Sequence, residues 1–341
     1  MRGFARIFVT LCLLLMASPV LAQQPIVFKL AFTDPPYMKI GELQVMHHST
    51  AGMVAFKATV ENLTQKRVVV ENYYHGRLGD ANENLRQINA GILQGATPAD
   101  GAVAPFYAGI QVFAIPYLFK DPLAAYNLWD GPVGQAVLED MTRKSGLRAL
   151  AIFDNGGFRS FSNSKKVIKS AADMRGLKLR TMPIPVHMEM VKALGAAPTP
   201  IAWLELYNAL QTGVVDGQEN SASTILGGTL HEVQKYYTLD EHLVGSAFIV
   251  TSEKWLRSLP KDIQDAIVRA GKIAEFAARG TSRANDSLAL EEIANRGMQI
   301  YFPTPAEKRS FRDAAQKPVV EWLRKNVDAK LVDQVLASVG E

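Results

Sequence analysis

Apolar positions along the chain recur at two spacings, one suited to strands and one to helices. Ile26 to Phe32 is a short apolar run that predicts a first strand, and the valine-rich Arg67–Tyr74 predicts a second. Between them, Val45, Met53, Phe56, Val60 and Leu63 recur at roughly helical steps and predict a helix over Gly41–Gln65. Gly79-Asp80 opens a further helix through Leu85 and Ile88 to Ile92. Gly101 to Phe119 carries no charged residue and reads as a strand of a parallel sheet, buried on both faces. Helices follow to Ser145, and Leu147–Phe153 reads as another strand. The second half continues with strands at Phe158–Ser162, Leu177–Thr181 and Val214–Gln218, and helices at Pro185–Leu194 and Trp203–Gln211. This alternation predicts an α/β fold. In Lys261–Arg296, Ile263, Ile267, Ala270, Ala274 and Ala277 mark one helical face. A continuous helix here would reach about 54 Å, longer than a typical domain is wide. Two helices broken near Gly280 fit the residues equally well.

Composition gives room for a sizeable core and about two domains: of 341 residues, 48 % are hydrophobic and 21 % charged. The N-terminus changes this picture. Arg2 and Arg6 precede an apolar run from Phe8 through Met16 that continues less purely to Leu21, and Val20-Leu21-Ala22 offers a cleavage site. Charged, apolar and small-residue regions in that order predict an export signal over residues 1–22. The run is short for a bilayer span of about 20 residues, which argues against a retained anchor. Cys12 is the one cysteine, and it would leave with the signal. A mature chain without thiols excludes a catalytic cysteine, a disulfide framework and a thiolate metal site. The net charge is +4, and Arg2 and Arg6 carry two of those charges. The remaining basic residues are scattered; Lys66-Arg67 and Lys165-Lys166 are isolated pairs. No basic stripe marks a nucleic-acid partner.

Catalytic and cofactor motifs are missing. No dinucleotide-binding Gly-x-Gly-x-x-Gly follows a strand, and there is no phosphate loop or Gly-x-Ser-x-Gly elbow. Ser162-Asn163-Ser164-Lys165 matches Ser-x-x-Lys without the companion motifs of that chemistry. Among six histidines, His47 and His48 are adjacent and so point apart on a helix, and His231-Glu232 lacks a second histidine ligand. No cofactor or metal is expected, and no enzymatic activity.

The densest signal runs from Gly157 to Asn220. It contains Gly157-Phe158-Arg159, Gly176-Leu177-Lys178-Leu179-Arg180, the run Ala193 to Pro200, and Glu205 through Asn220 with Asp216-Gly217-Gln218-Glu219-Asn220 at its end. Arg180 lies near the end of a predicted strand, where open α/β sheets bind ligands. A guanidinium there offers a planar fork that matches a carboxylate with two hydrogen bonds. A structural pairing with an internal Asp or Glu accounts for the residue equally well.

The segment strongly resembles the extracytoplasmic solute receptors of the tripartite ATP-independent periplasmic (TRAP) transporters, in the DctP-type branch. Ile115-Pro116-Tyr117-Leu118-Phe119, Trp255-Leu256 and Leu259-Pro260 extend the resemblance over essentially the whole mature chain. It implies a two-domain α/β fold of periplasmic-binding-protein type, with a ligand cleft between the domains and a long helix spanning both. The first domain is expected over residues 23–155 with 246–284, and the second over 156–245 with 285–341. The resemblance further implies that Arg180 pairs with a ligand carboxylate, that Arg159 assists it, that Asn220 contacts the ligand, and that Trp203 stacks over it. His242 is a looser match to a histidine of the polar network. A small organic acid is the implied ligand, a C4-dicarboxylate being one candidate beside keto, sugar and aromatic acids. The implied partner is a TRAP membrane permease, the implied compartment the periplasm, and the receptor is expected to be monomeric. Two features depart from the pattern: Ser221 stands where many relatives have proline, and Thr97-Pro98-Ala99 carries no acid, which favours a less polar ligand tail. Rival readings are a receptor of an amino-acid importer and a periplasmic lyase or isomerase of organic acids.

Overall fold

The computed structural model describes residues 24–340, so the expected signal and Cys12 lie outside the described residues. Two strands organise everything else. β6 (Leu147–Asn163) and β10 (Tyr236–Ser252) each run 17 residues and pair antiparallel at the centre of a nine-stranded sheet. On one side β10 pairs with β5 (Gly95–Ala96), which leads to β1 (Ile26–Ala31) and β4 (Val68–Tyr73). On the other side β6 pairs with β9 (Gly217–Asn220), followed by β7 (Lys178–Thr181) and β8 (Ala197–Pro200). β11 (Gln299–Tyr301) joins the end of β10, and β2 (Tyr37–Ile40) with β3 (Leu43–Met46) forms a separate hairpin.

The two long strands change register together at the middle. Pairing shifts between Val244 and Ser246, opposite Asn155-Gly156-Gly157, where both glycines take positive φ, +85° and +100°. Few residues with a Cβ adopt such angles at low cost, and the irregularity bends both strands at one level. The sheet thereby divides into two α/β lobes that share their central strands.

Most expected elements are present, with these differences. Leu147–Phe153 and Phe158–Ser162 are two stretches of one strand, β6, joined through the glycine bend. The expected helix over Gly41–Gln65 begins only at His48 and ends at Leu63; its first residues form the hairpin strand β3. The expected buried strand over Gly101–Phe119 is not one. It holds a short helix, Asp100–Val103, and a 3-10 helix, Ala108–Ala114. The missing charges did report burial, since Val103, Ile110, Val112, Phe113 and Ile115 are all in the core. Burial alone carries no period, however, and Pro105 and Pro116 remove the N–H groups that a ladder needs.

The stretch after Lys261 is one unbroken helix, Lys261–Asn295. Ile263, Ile267, Ala270, Ala274 and Ala278 face a core shared with the helix His48–Leu63 and with Phe28, Val68 and Phe153. Farther along, Ala289 and Ile293 enter a second core with Leu206, Leu210 and Ile225. Polar anchors also tie this helix to the bend. Arg283 and Ser282 both reach Asp154, which also accepts from the Tyr126 hydroxyl and the Gly157 N–H. A third and largest core continues through the helix Pro185–Ala193 and the C-terminal helices Pro305–Leu323 and Ala329–Val339.

The two glycines of the long helix make opposite demands. A Cβ on Gly280 would meet nothing within 4 Å, whereas a Cβ on Gly271 would lie 2.2 Å from the Leu150 carbonyl oxygen of β6. Gly280→Ala should therefore stabilise the protein by about 0.5–1 kcal/mol through helix propensity. Gly271→Ala should destabilise it by about 1–3 kcal/mol through overpacking. Chemical denaturation of the two variants measures the contrast.

Candidate functional site

Arg180 is the third residue of β7, and its side chain is 1 % exposed. Its Nε donates to the Ile201 carbonyl at 2.9 Å, so the short link after β8 fixes one edge of the guanidinium. Nη1 has no hydrogen-bond partner, and no carboxylate among the described residues forms an ion pair with it. Burial pulls this guanidinium down to about 9; Glu219 opposes the shift and the like charge of Arg159 adds to it. The group is still a cation at neutral pH, buried and unmatched.

The neighbouring charges are matched. Arg159 is equally buried and grips Glu219 twice, Nε to Oε2 at 2.5 Å and Nη2 to Oε1 at 2.8 Å, with a further bond to the Glu219 carbonyl. Burial would raise the Glu219 carboxyl, but Arg159 and His187 outweigh it and hold it well below its usual range. His187 Nδ1 lies 3.4 Å away without hydrogen-bond geometry. Behind this pair, His242 Nδ1 sits 2.8 Å from Asp240 and its Nε2 3.4 Å from Glu219, with the ring stacked on Phe161. Burial alone would depress this imidazole; the two carboxylates prevail and push it up to about 9. With His242 matched to Asp240 and Arg159 to Glu219, Arg180 is the cation left over.

Arg180 opens into a cleft of about 840 Å³, part of it open to solvent. From the same lobe come Met182, Pro183, Asn220, Thr224 and the start of the helix Trp203–Gln211. Asn220 is buried; its side-chain amide donates to Gln218 and its carbonyl accepts from the Tyr237 hydroxyl at 2.9 Å. Trp203 is half-buried on the core around Leu206 and presents its indole to the cleft. Three of the five residues expected to touch a ligand (Arg180, Asn220 and Trp203) thus share one wall. Arg159 and His242 do not line it; they stand behind Arg180 in the buried charge cluster.

The opposite wall comes from the first lobe, and no sequence motif marks it. Thr33, Asp34, His47, Ser49, Asp80, Asn82, Thr97 and Asn155 line it. It is thus more polar than the uncharged Thr97-Pro98-Ala99 suggests. They come from five separate stretches of chain: Asp80 caps the helix Ala81–Asn89, His47 caps His48–Leu63 by accepting from the Ser49 N–H, and Asn155 sits at the bend of β6. Burial, with His48 alongside, holds His47 well below its usual pKa, so it is neutral. Burial pushes the Asp34 carboxyl up to about 7, against the opposing pull of the Trp203 indole and Thr33 beside it. The approach of Asp34 to Trp203 crosses the cleft. So does the packing at Gly101, where a Cβ would come within 2.7 Å of Met182. The lobes are in contact, and the cleft is largely closed. No group of His, Cys, Asp or Glu among the described residues has metal-site geometry, and none of their helices is long and apolar enough to cross a membrane.

The His242 cluster fixes a pH dependence. Because the folded pKa lies above the usual imidazole value of about 6.5, its contribution to stability is complete below that value and is lost as pH rises through about 9. Thermal unfolding followed from pH 6 to 10 should show this loss, and His242→Asn should flatten it. Glu219→Gln should cost about 3 kcal/mol or more, since Arg159 would stay buried without its counter-charge.

Residues 42–326 match the family model for DctP, bacterial extracellular solute-binding protein, family 7. The C4-dicarboxylate-binding periplasmic protein DctP of Rhodobacter capsulatus is 31 % identical over 332 residues, covering 96 % of this chain and 95 % of that protein. A TRAP periplasmic solute-binding protein from Polaromonas, solved bound to D-erythronate, superposes with a TM-score of 0.84 at 30 % identity, covering 92 % of this chain and 98 % of that one. A TRAP periplasmic solute-binding protein from Shewanella oneidensis with bound succinate gives a TM-score of 0.85 at 26 % identity, covering 92 % and 99 %.

Proposed function

The chain belongs to family 7 of the bacterial extracellular solute-binding proteins, and from that premise we propose how its cleft works: Arg180 anchors the carboxylate of a small organic acid. Members of the family are receptors, not enzymes, and they deliver carboxylate ligands to TRAP permeases. The present chain is such a periplasmic receptor. Its expected signal over residues 1–22 is consistent with export. A single chain supplies both walls of the cleft, which supports a monomeric receptor.

The observation that carries the reading is the unmatched Arg180 on the cleft wall. A buried cation without a partner costs several kcal/mol, and a ligand carboxylate supplies the missing charge and accepts the free N–H. Asn220 and Trp203 share that wall, and we assign them direct ligand contacts. Arg159 and His242 keep the role expected of them in a modified form: they hold Glu219 and set the field around Arg180 from behind. The domain boundaries expected at 155/156 and 245/246 are supported by the bend at Asn155–Gly157 and Val244–Ser246. Hinge motion there would open and close the cleft. The ligand acts by favouring the closed population, the form a permease can recognise.

Arg180→Met should abolish binding of organic acids in titration calorimetry. Without ligand, its midpoint of thermal unfolding should equal or exceed that of the parent, because the substitution removes an unmatched buried charge. Near-normal affinity in the variant would exclude Arg180 as the anchor. Turnover of a bound acid, followed by mass spectrometry, would instead favour an enzyme.

A further inference from the structure

The wall facing Arg180 bears on which acids fit, an inference that rests on the carboxylate reading above. Arg180 is the one lysine or arginine on the cleft wall among the described residues, and the nearest histidine, His47, is neutral. A second carboxylate on the ligand would therefore find no cation. It would meet Asp34 and Asp80 instead, and an unpaired carboxylate in a closed cleft is costly to desolvate.

Asp34 is the group with capacity to spare. The Trp203 indole and Thr33 lie beside it, no cation acts on it, and part of its surface still faces the cleft. A carboxylate accepts up to about four hydrogen bonds. On the same wall Thr97 is buried and its hydroxyl has no hydrogen-bond partner. A ligand hydroxyl, which both donates and accepts, suits both groups. We propose that Asp34 sets the ligand class: it makes the first-lobe wall an acceptor of ligand hydroxyls, so the receptor takes hydroxylated monocarboxylates and rejects dicarboxylates.

The mature chain can be tested by titration calorimetry with D-erythronate, D-gluconate, butyrate, succinate and L-glutamate as probes. A hydroxylated monocarboxylate should bind best, with butyrate and succinate each weaker by about tenfold or more. In Asp34→Asn the hydroxylated acids should lose about tenfold and succinate should gain, so the preference narrows. Succinate or glutamate as the tightest probe, or no binding of either hydroxylated acid, would overturn the proposal, and so would an unchanged ranking in a folded Asp34→Asn variant. The parent ranking decides the matter even if that variant unfolds. Arg180→Met separates the two claims. Loss of every probe in that variant upholds the anchor whatever the ranking, and retained binding refutes the anchor itself.

Discussion

One unmatched positive charge, the buried guanidinium of Arg180, is the constraint on which the rest of this structure turns. Ionisable groups are rarely buried without partners, and two neighbours of this residue respect that rule: Glu219 answers Arg159 and Asp240 answers His242. Arg180 breaks the rule while its Nε is tied to the Ile201 carbonyl. A side chain held this firmly and left uncompensated is preorganised. Its rotamer is fixed before a ligand arrives, so binding need not order it. The matched cluster behind it is what makes such a position tolerable, since it brings no net negative charge that could draw Arg180 inward.

On the proposed reading, the bend in β6 and β10 would convert that local deficit into motion. Both strands belong to both lobes, so a change of angle at Asn155–Gly157 and Val244–Ser246 swings whole walls and moves no single loop alone. The helix Lys261–Asn295 spans the same level, and Asp154 pins it there through Arg283 and Ser282. Its continuity through Gly280 gives the hinge a stiff brace.

How much of this was legible follows from how each wall is built. The Arg180 wall comes from nearly contiguous chain, Gly157 to Asn220, so its residues stand together in sequence and form recognisable words. The facing wall takes Asp34, His47, Asn82, Thr97 and Asn155 from five separate stretches of chain, and no local pattern links them. Register is likewise non-local: the union of Leu147–Phe153 with Phe158–Ser162 depends on pairing with β10, about 90 residues away. In Gly101–Phe119 the missing charges were read as a strand. Hydrophobicity reports burial there, while Pro105 and Pro116 decide the backbone.

Charge also explains why capture and closure belong together. In the open form water can reach Arg180 and solvate it. Closing an empty cleft would strip that water and leave the cation bare, at a cost of several kcal/mol. An acid in the cleft removes that cost and adds charge-assisted hydrogen bonds in a drier setting, where they are stronger. The ligand's differential affinity for the closed form therefore arises mainly from its negative charge, and a neutral molecule of the same shape would bind without closing the lobes. On that reading the contacts at Asp34–Trp203 and Gly101–Met182 would serve as the latch of the closed form. On the proposed reading the second lobe would decide whether anything is captured, and the first lobe, with its acceptors and no cation, what the rest of that molecule must look like.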